Sequence, residues 1–245
     1  MEIYDYIDSH SSKASEALDW VVRQTHLRTN HARMLSGRVQ GEFLKILVQI
    51  SGASRVLELG TFTGYSAICL ASGLPDGGHL DTLELNDELE DVILEGFERA
   101  GVSEKITLHL GDCKQTLEKM RKEGTPEYDI VYMDANKREY SEYYELVFDL
   151  VRRGGLILAD NVLWDGKVCQ EPLPQDKQTV SIARFNDMVA SDTRVESLIL
   201  PLRDGLTLVR KLECSRFFDN FFLARCFYWR VIRAPRALRR RSMSS

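Results

Sequence analysis

Apolar residues change their period along this chain. In "SEALDWVVRQTH" (15–26) and "GRVQGEFLKILVQIS" (37–51) they recur every three or four residues, the spacing of a helix face. Val39, Phe43, Ile46, Leu47 and Ile50 share one such face. From residue 55 the period shortens. The runs "RVLELG", "LDTLEL", "ITLHL", "YDIVYMD" and "GLILAD" alternate with helix-like stretches near 64–73, 87–100, 112–123 and 139–152. Near-continuous apolar strands alternating with helices predict an α/β fold with a parallel sheet covered on both faces. Beyond residue 160 come a long loop, a helix near 178–190, and the strands "VESLILP" and "LTLVRKL". The short "RDG" between these strands predicts an antiparallel pair.

Composition sets the outer limits. With 245 residues, 44% hydrophobic and 28% charged, the chain is ordinary globular protein with one domain as the default. No stretch of about 18 apolar residues is present, so no transmembrane helix is expected. The start, "MEIYDYIDSHSSK", lacks the basic and apolar regions of a signal peptide. Five cysteines without a C-x-x-C pair argue against a disulfide framework or zinc site and favour a reducing, cytoplasmic compartment. The net charge of −5 is uneven: Lys211–Ser245 holds nine Lys/Arg against Glu213 and Asp219, leaving an acidic body with no broad footprint for nucleic acid.

Two constellations carry chemistry. In "VLELGTFTGYSA" (56–67), Gly60 permits a tight turn and close backbone approach, and Gly64 opens a helix whose free N–H groups can face an anion. Glu58 is an acid inside an apolar strand. Glu84 ends the next strand, where a carboxylate can accept from both ribose hydroxyls. These residues leave a dinucleotide and an adenosyl cofactor open, with the missing third glycine against the dinucleotide. The second constellation is "YMDANK" and "LADN". If their strands are neighbours, about 4.8 Å apart, Asp134, Asp160 and Asn161 converge at their carboxyl ends. Two carboxylates and an amide form a hard oxygen set suited to Mg²⁺, Mn²⁺ or Ca²⁺. Lys137, beside such a cation, is a candidate base. The plainer readings are a turn at Asp160–Asn161, a helix cap at Asp134 and a solvated Lys137.

With "ARMLSGRVQGEFLKIL", "TLELN", "GDC", "MDANKREYSEYYE", "GGLILADNVLWDGKV" and "FNDMVASDTRVESLILPLRDGLTLVRK", the sequence resembles the metal-dependent, S-adenosylmethionine-using O-methyltransferases of the caffeoyl-CoA and catechol O-methyltransferase type, closest to bacterial members. The resemblance covers roughly residues 30–212. It implies a Rossmann-like, doubly wound, seven-stranded, mostly parallel sheet with a C-terminal antiparallel hairpin. The methyltransferase domain is placed at 1–212, with N-terminal helices 1–52 packed on it. The resemblance also implies roles. Glu58, Gly60, Thr61, Gly64 and Ser66 hold the methionine part of the cofactor, and Met34 and Ser36 close over it. Glu84 takes the ribose, while Asp112 and Cys113 flank the adenine. Asp134, which also contacts cofactor, joins Asp160 and Asn161 as metal ligands, and Lys137 is the catalytic base. The implied acceptor is a catechol-like or other hydroxylated aromatic, with Lys137, Asn161 and Trp164 beside it. A hydroxyuridine of tRNA is the alternative acceptor within the family, and a homodimer is the implied assembly.

The sequence departs from the family in three places. Cys113 stands where bacterial relatives usually have Ala, so a backbone contact is expected there. The acid that contacts substrate in animal catechol enzymes has no match in "SLILPLR". Residues 213–245, basic and aromatic, match nothing in the family; they suit an oligomer contact, an acidic membrane surface or a poorly ordered extension. The rival classes are a nucleotide-cofactor oxidoreductase, disfavoured by the absent G-x-G-x-x-G, and a non-catalytic cofactor-binding protein, disfavoured by the complete Asp–Lys–Asp–Asn set.

Overall fold

The computed structural model describes residues 3–213; the extension from Cys214 onward lies outside them. In chain order the elements are α1 (Ile3–Ser9), α2 (Glu16–Arg28), α3 (Arg38–Ser51), β1 (Arg55–Leu59), α4 (Tyr65–Gly73), β2 (His79–Glu84), α5 (Glu90–Arg99), β3 (Ile106–Leu110), α6 (Cys113–Glu123), β4 (Tyr128–Met133), α7 (Tyr140–Phe148), β5 (Val151–Asp160), α8 (Lys177–Ser191), β6 (Val195–Leu200) and β7 (Leu206–Lys211).

The strands form one seven-stranded sheet in the order β3-β2-β1-β4-β5-β7-β6. Strands β1 to β5 run parallel, and β7 is antiparallel to both β5 and β6. The chain winds outward from β1 through β3 and restarts at β4 on the other side of β1. That reversal opens a crevice at the carboxyl ends of β1 and β4. Alternate residues of each strand feed opposite cores. Val56, Leu80, Ile130 and Leu158 pack with α3, α4 and α5 on one face. Leu57, Leu59, Val131, Met133 and Ile157 pack with α6, α7 and α8 on the other.

Helix ends follow local chemistry. Asp112 caps α6 through Gln115 N–H at 3.0 Å, and Asp176 caps α8 through Thr179 N–H at 3.0 Å. Each such cap contributes about 1 kcal/mol.

Two expectations are corrected. The apolar face of Val39, Phe43, Ile46, Leu47 and Ile50 is not the buried face of α3. Ile46 is 44% and Ile50 76% exposed, whereas Gln40, Gly41, Leu44 and Val48 are buried. Helix α4 decides this: a Cβ on Gly41 would meet Cys69 Sγ at 2.7 Å, so the small side of α3 is the one that docks. The helix near 139–152 is also too long. It ends at Phe148, and β5 starts at Val151, pairing with Tyr128 before the register shifts to Ile130↔Leu156. The polar "RRGG" in that irregular stretch hides the strand from an apolar count. Helix α1 falls inside the N-terminal helical region expected at 1–52, ahead of the first periodic stretch at residue 15.

The crevice depends on one close approach. Gly60 has φ +96, and a Cβ there would overlap the Asp134 carbonyl. Asp134 N–H in turn donates to Leu59 O at 2.8 Å. Gly60→Ala adds left-handed backbone strain to that overlap. It is expected to lower the thermal midpoint by about 5 °C or more, read by circular dichroism melting.

Candidate functional site

Among the described residues, five that are not glycine have positive φ: Phe62, Asn161, Trp164, Asp165 and Arg203. All lie in loops at one edge of the sheet. Phe62 follows β1, and Asn161, Trp164 and Asp165 follow β5. Arg203 sits in the β6–β7 turn, beside the end of β5, because Leu206 pairs with Asp160. Left-handed backbone costs a side-chain-bearing residue about 1 kcal/mol. Its concentration at the edge expected to hold the site marks a surface shaped for something other than stability.

The β1 side of the crevice is built around Glu58, which is fully buried. The register sets Glu58 opposite Thr82 on β2. Thr82 donates to Glu58 Oε2 at 2.5 Å, and the Thr61 hydroxyl lies 2.6 Å from Thr82. Burial pushes the Glu58 carboxyl up to about 7; the Ser66 and Thr82 hydroxyls oppose the shift, and Asp134 and Glu84 add to it. Glu58 Oε1 is buried without a hydrogen-bond partner. Such an acceptor suits a cationic or N–H-bearing ligand. Gly64, at φ +89, starts α4 over the Phe97 ring. Glu84 accepts from Phe62 N–H at 2.6 Å and Asn86 N–H at 2.9 Å, and burial raises its pKa. Those two bonds fix the carboxylate at the strand end and leave lone pairs for further donors.

On the other side, β4 and β5 are paired neighbours up to Met133↔Ala159, so Asp134 and the Asp160–Asn161 pair follow adjoining strand ends, and the Asp134 and Asp160 charges act on each other. Burial pushes Asp134 up to about 6; Lys137 and Arg203 oppose the shift, and the Asp160 charge adds to it. Lys137 Nζ donates to Asp134 Oδ1 at 2.6 Å, to the Tyr140 hydroxyl at 2.5 Å and to Asp160 O at 3.4 Å. Asp160 is held from three directions. Gln40 Nε2 donates to its Oδ2 at 2.6 Å, the Tyr132 hydroxyl donates to the same oxygen at 3.0 Å, and Asn161 N–H donates to Oδ1 at 2.8 Å. Gln40 also donates to Tyr132 at 2.8 Å, and its Oε1 is buried without a partner. The Ser36 hydroxyl lies beside Tyr132, linking the 31–37 segment to the same network.

The remaining expected residues lie around this centre. Asp112 and Cys113 begin α6 beyond β3; Cys113 is buried and its thiol is pushed up to about 12 by burial. Met34 ends a short 3-10 turn and is 59% exposed. Trp164 is half-buried and leans on the core beneath α7 and α8. Sequence reasoning missed Gln40, Thr82, Tyr132, Tyr140 and Arg203. Only Gln40 carried a signal: it stands four residues before Leu44 on the docked side of α3, a polar residue in a buried row.

Among the described residues no group of three or more His, Cys, Asp and Glu gathers around a common point. The donor set here is two carboxylates and an amide. Its chemistry fits a hard divalent cation, because carboxylate and amide oxygens are the ligands such ions take.

Residues 8–212 match the family profile described as O-methyltransferase. Caffeoyl-CoA O-methyltransferase 1 of Nicotiana tabacum is 35% identical over 187 residues, spanning 74% of this chain and 78% of that one. An O-methyltransferase from Bacillus cereus, solved in complex with SAH, superposes with a TM-score of 0.77 at 29% identity, covering 84% of this chain and 96% of that one. The O-methyltransferase TomG of Streptomyces achromogenes, solved in complex with SAM, gives 0.78 at 30% identity, covering 85% and 95%. A profile match over most of the chain, on a sheet whose crevice has these acids at its edge, means that the chain belongs to the O-methyltransferase family, as an S-adenosylmethionine-dependent enzyme of the caffeoyl-CoA O-methyltransferase type.

Proposed function

We propose that this enzyme methylates a hydroxyl of a catechol-like aromatic acceptor at a site where Asp134, Asp160 and Asn161 hold a divalent cation, Mg²⁺ being the best fit. The observation that carries this reading is the pair of mutually repelling carboxylates on adjacent strand ends, Asp160 buried and Asp134 part-buried, with Lys137 Nζ 2.6 Å from the latter. The tobacco relative is named for caffeoyl-CoA, and a caffeoyl ring carries adjacent hydroxyls. The cation would supply the positive charge that makes a bound hydroxyl more acidic. S-adenosylmethionine supplies an activated methyl group on a positively charged sulfur.

The chain's own residues do the rest. Lys137, in its neutral amine form, accepts the hydroxyl proton at Nζ and becomes the ammonium that pairs with Asp134. Tyr140 and the Asp160 carbonyl, both within hydrogen-bond reach, hold that nitrogen in place. Glu58 pairs through its free Oε1 with the amino group of the methionyl part, and Glu84 accepts from the ribose. Met34, Ser36, Gly60, Thr61, Gly64, Ser66, Asp112 and Cys113 line the donor's path. Trp164 offers a ring face to the acceptor. The close approach of β1 and β4 keeps nucleophile and methyl group in line, a contribution of positioning. A homodimer belongs to the same reading and is measured by sedimentation.

Methyl transfer to 3,4-dihydroxybenzoate, with and without EDTA, tests the proposal directly; EDTA-insensitive transfer contradicts the cation. Lys137→Ala is expected to lower kcat by about a hundredfold or more while leaving S-adenosylhomocysteine affinity intact. Gln40→Leu removes the amide that holds Asp160. It is expected to weaken Mn²⁺ binding about tenfold, read by electron paramagnetic resonance titration, with the fold retained.

The pH dependence follows from Glu58. Burial pushes its carboxyl up to about 7, and the ammonium of the methionyl part, shared by S-adenosylmethionine and S-adenosylhomocysteine, favours the ionised form. Below that pH, binding must expel a proton, so affinity for S-adenosylhomocysteine is expected to fall by up to about tenfold per pH unit. Calorimetry at pH 6 and 8 checks this, and Glu58→Gln is expected to flatten the difference.

A further inference from the structure

A cavity of about 600 Å³ lies between the start of α2, the 32–38 segment and the β6–β7 turn. Four cationic side chains, Lys13, Arg33, Arg38 and Arg203, line it against a single carboxylate, Asp19. On a chain of net charge −5 this is a local reversal of sign. Concave, partly enclosed positive surfaces concentrate anions.

The cavity borders the transfer site. Leu35 and Gly37 line it, while Ser36 between them lies beside the Tyr132 hydroxyl, inside the Asp160 network. Arg203 spans the same boundary. Its Nη1 donates to Leu35 O at 2.5 Å, its guanidinium packs on Gly37, and its charge reaches the Asp134 carboxylate. That hydrogen bond uses one of five N–H donors and fixes the direction of the rest. Arg203 also keeps φ +50 in its turn, a conformation that favours glycine. Arg38 donates to Ser11 O at 3.2 Å and Ser12 O at 2.8 Å, which ties down the strand of chain that presents Lys13. The positive wall is thus built, from three separate parts of the fold.

We propose that this cavity is a subsite for an anionic substituent of the methyl acceptor, a carboxylate or phosphate, with Arg203 as the residue that selects for it. The proposal rests on the reading of Asp134, Asp160 and Lys137 as the place where the acceptor hydroxyl reacts. The donor also carries a carboxylate, but in that reading the N–H groups at the start of α4 serve it. Specificity then comes from a charge-assisted, planar contact at the guanidinium.

The test is calorimetric binding to the protein loaded with S-adenosylhomocysteine and Mg²⁺. The probes are 3,4-dihydroxybenzoate and its methyl ester, which differ only at the acid. The wild type is expected to bind the acid about tenfold more tightly, the scale of one charge-assisted hydrogen bond. Arg203→Gln should erase that preference with S-adenosylhomocysteine affinity unchanged. The double variant Lys13→Gln, Arg33→Gln changes only exposed side chains and should reduce the preference in part. Equal or absent affinity for acid and ester in the wild type overturns the subsite. So does loss of S-adenosylhomocysteine binding in Arg203→Gln, which would assign the cations to the donor. An intact acid preference without methyl transfer to either probe supports the subsite and sinks the proposed reaction instead.

Discussion

Burying carboxylates is costly, and this fold buries several along one edge. Glu58 and Asp160 are shielded from water, Asp134 and Glu84 are close to them, and burial drives three of these groups towards their protonated forms. Such an arrangement survives only where donors are in place. The donors found are a threonine chain at Glu58, backbone N–H groups at Glu84, a lysine at Asp134, and an amide with a tyrosine at Asp160. Two buried oxygens, Glu58 Oε1 and Gln40 Oε1, are left over. The polar edge is thus held by donors from several elements, and the order of the strands is what brings those donors to it.

The topology makes the arrangement affordable to the rest of the molecule. Each acid sits at a strand end or turns from a strand into the crevice, so the two apolar cores above and below the sheet stay continuous. Strand β1 lies inside the sheet, with β2 on one side and the central strand β4 on the other. Glu58 and Glu84 come from β1 and β2, Asp134 and Asp160 from the ends of β4 and β5. Gly60 is where the two sides meet, backbone against backbone.

Much of this was readable from residue types at strand ends. Parallel strands share a carboxyl edge, so an acid at the end of an apolar run has a known destination once strand order is given; Glu84, Asp134 and Asp160 show that. Glu58 was visible as an acid in an apolar run. Residues acting across long sequence separations were not visible. Gln40 reaches Asp160 across 120 positions, and Arg203 reaches Leu35 across 168. Neither periodicity nor motif encodes such a pairing. The docked face of α3 was misread for a related reason: a helix buries the side that fits its neighbour, and Gly41 against Cys69 outweighed a stripe of larger apolar residues. Asn161 and Trp164 were singled out as residues, but the left-handed backbone they share with Phe62, Asp165 and Arg203 was not, because only glycine announces that conformation by its type.

Gln40 gives the N-terminal helices a standing that their position conceals. They look like a cover laid over a self-sufficient sheet. Yet α3 delivers the amide that clamps Asp160, and the segment before it brings Ser36 to the same tyrosine. The cover and the sheet are thus mechanically one piece. Any tilt of α3 on α4 is transmitted to a carboxylate on the far side of the chain's numbering, so the docking of that helix is also an adjustment of the strand edge.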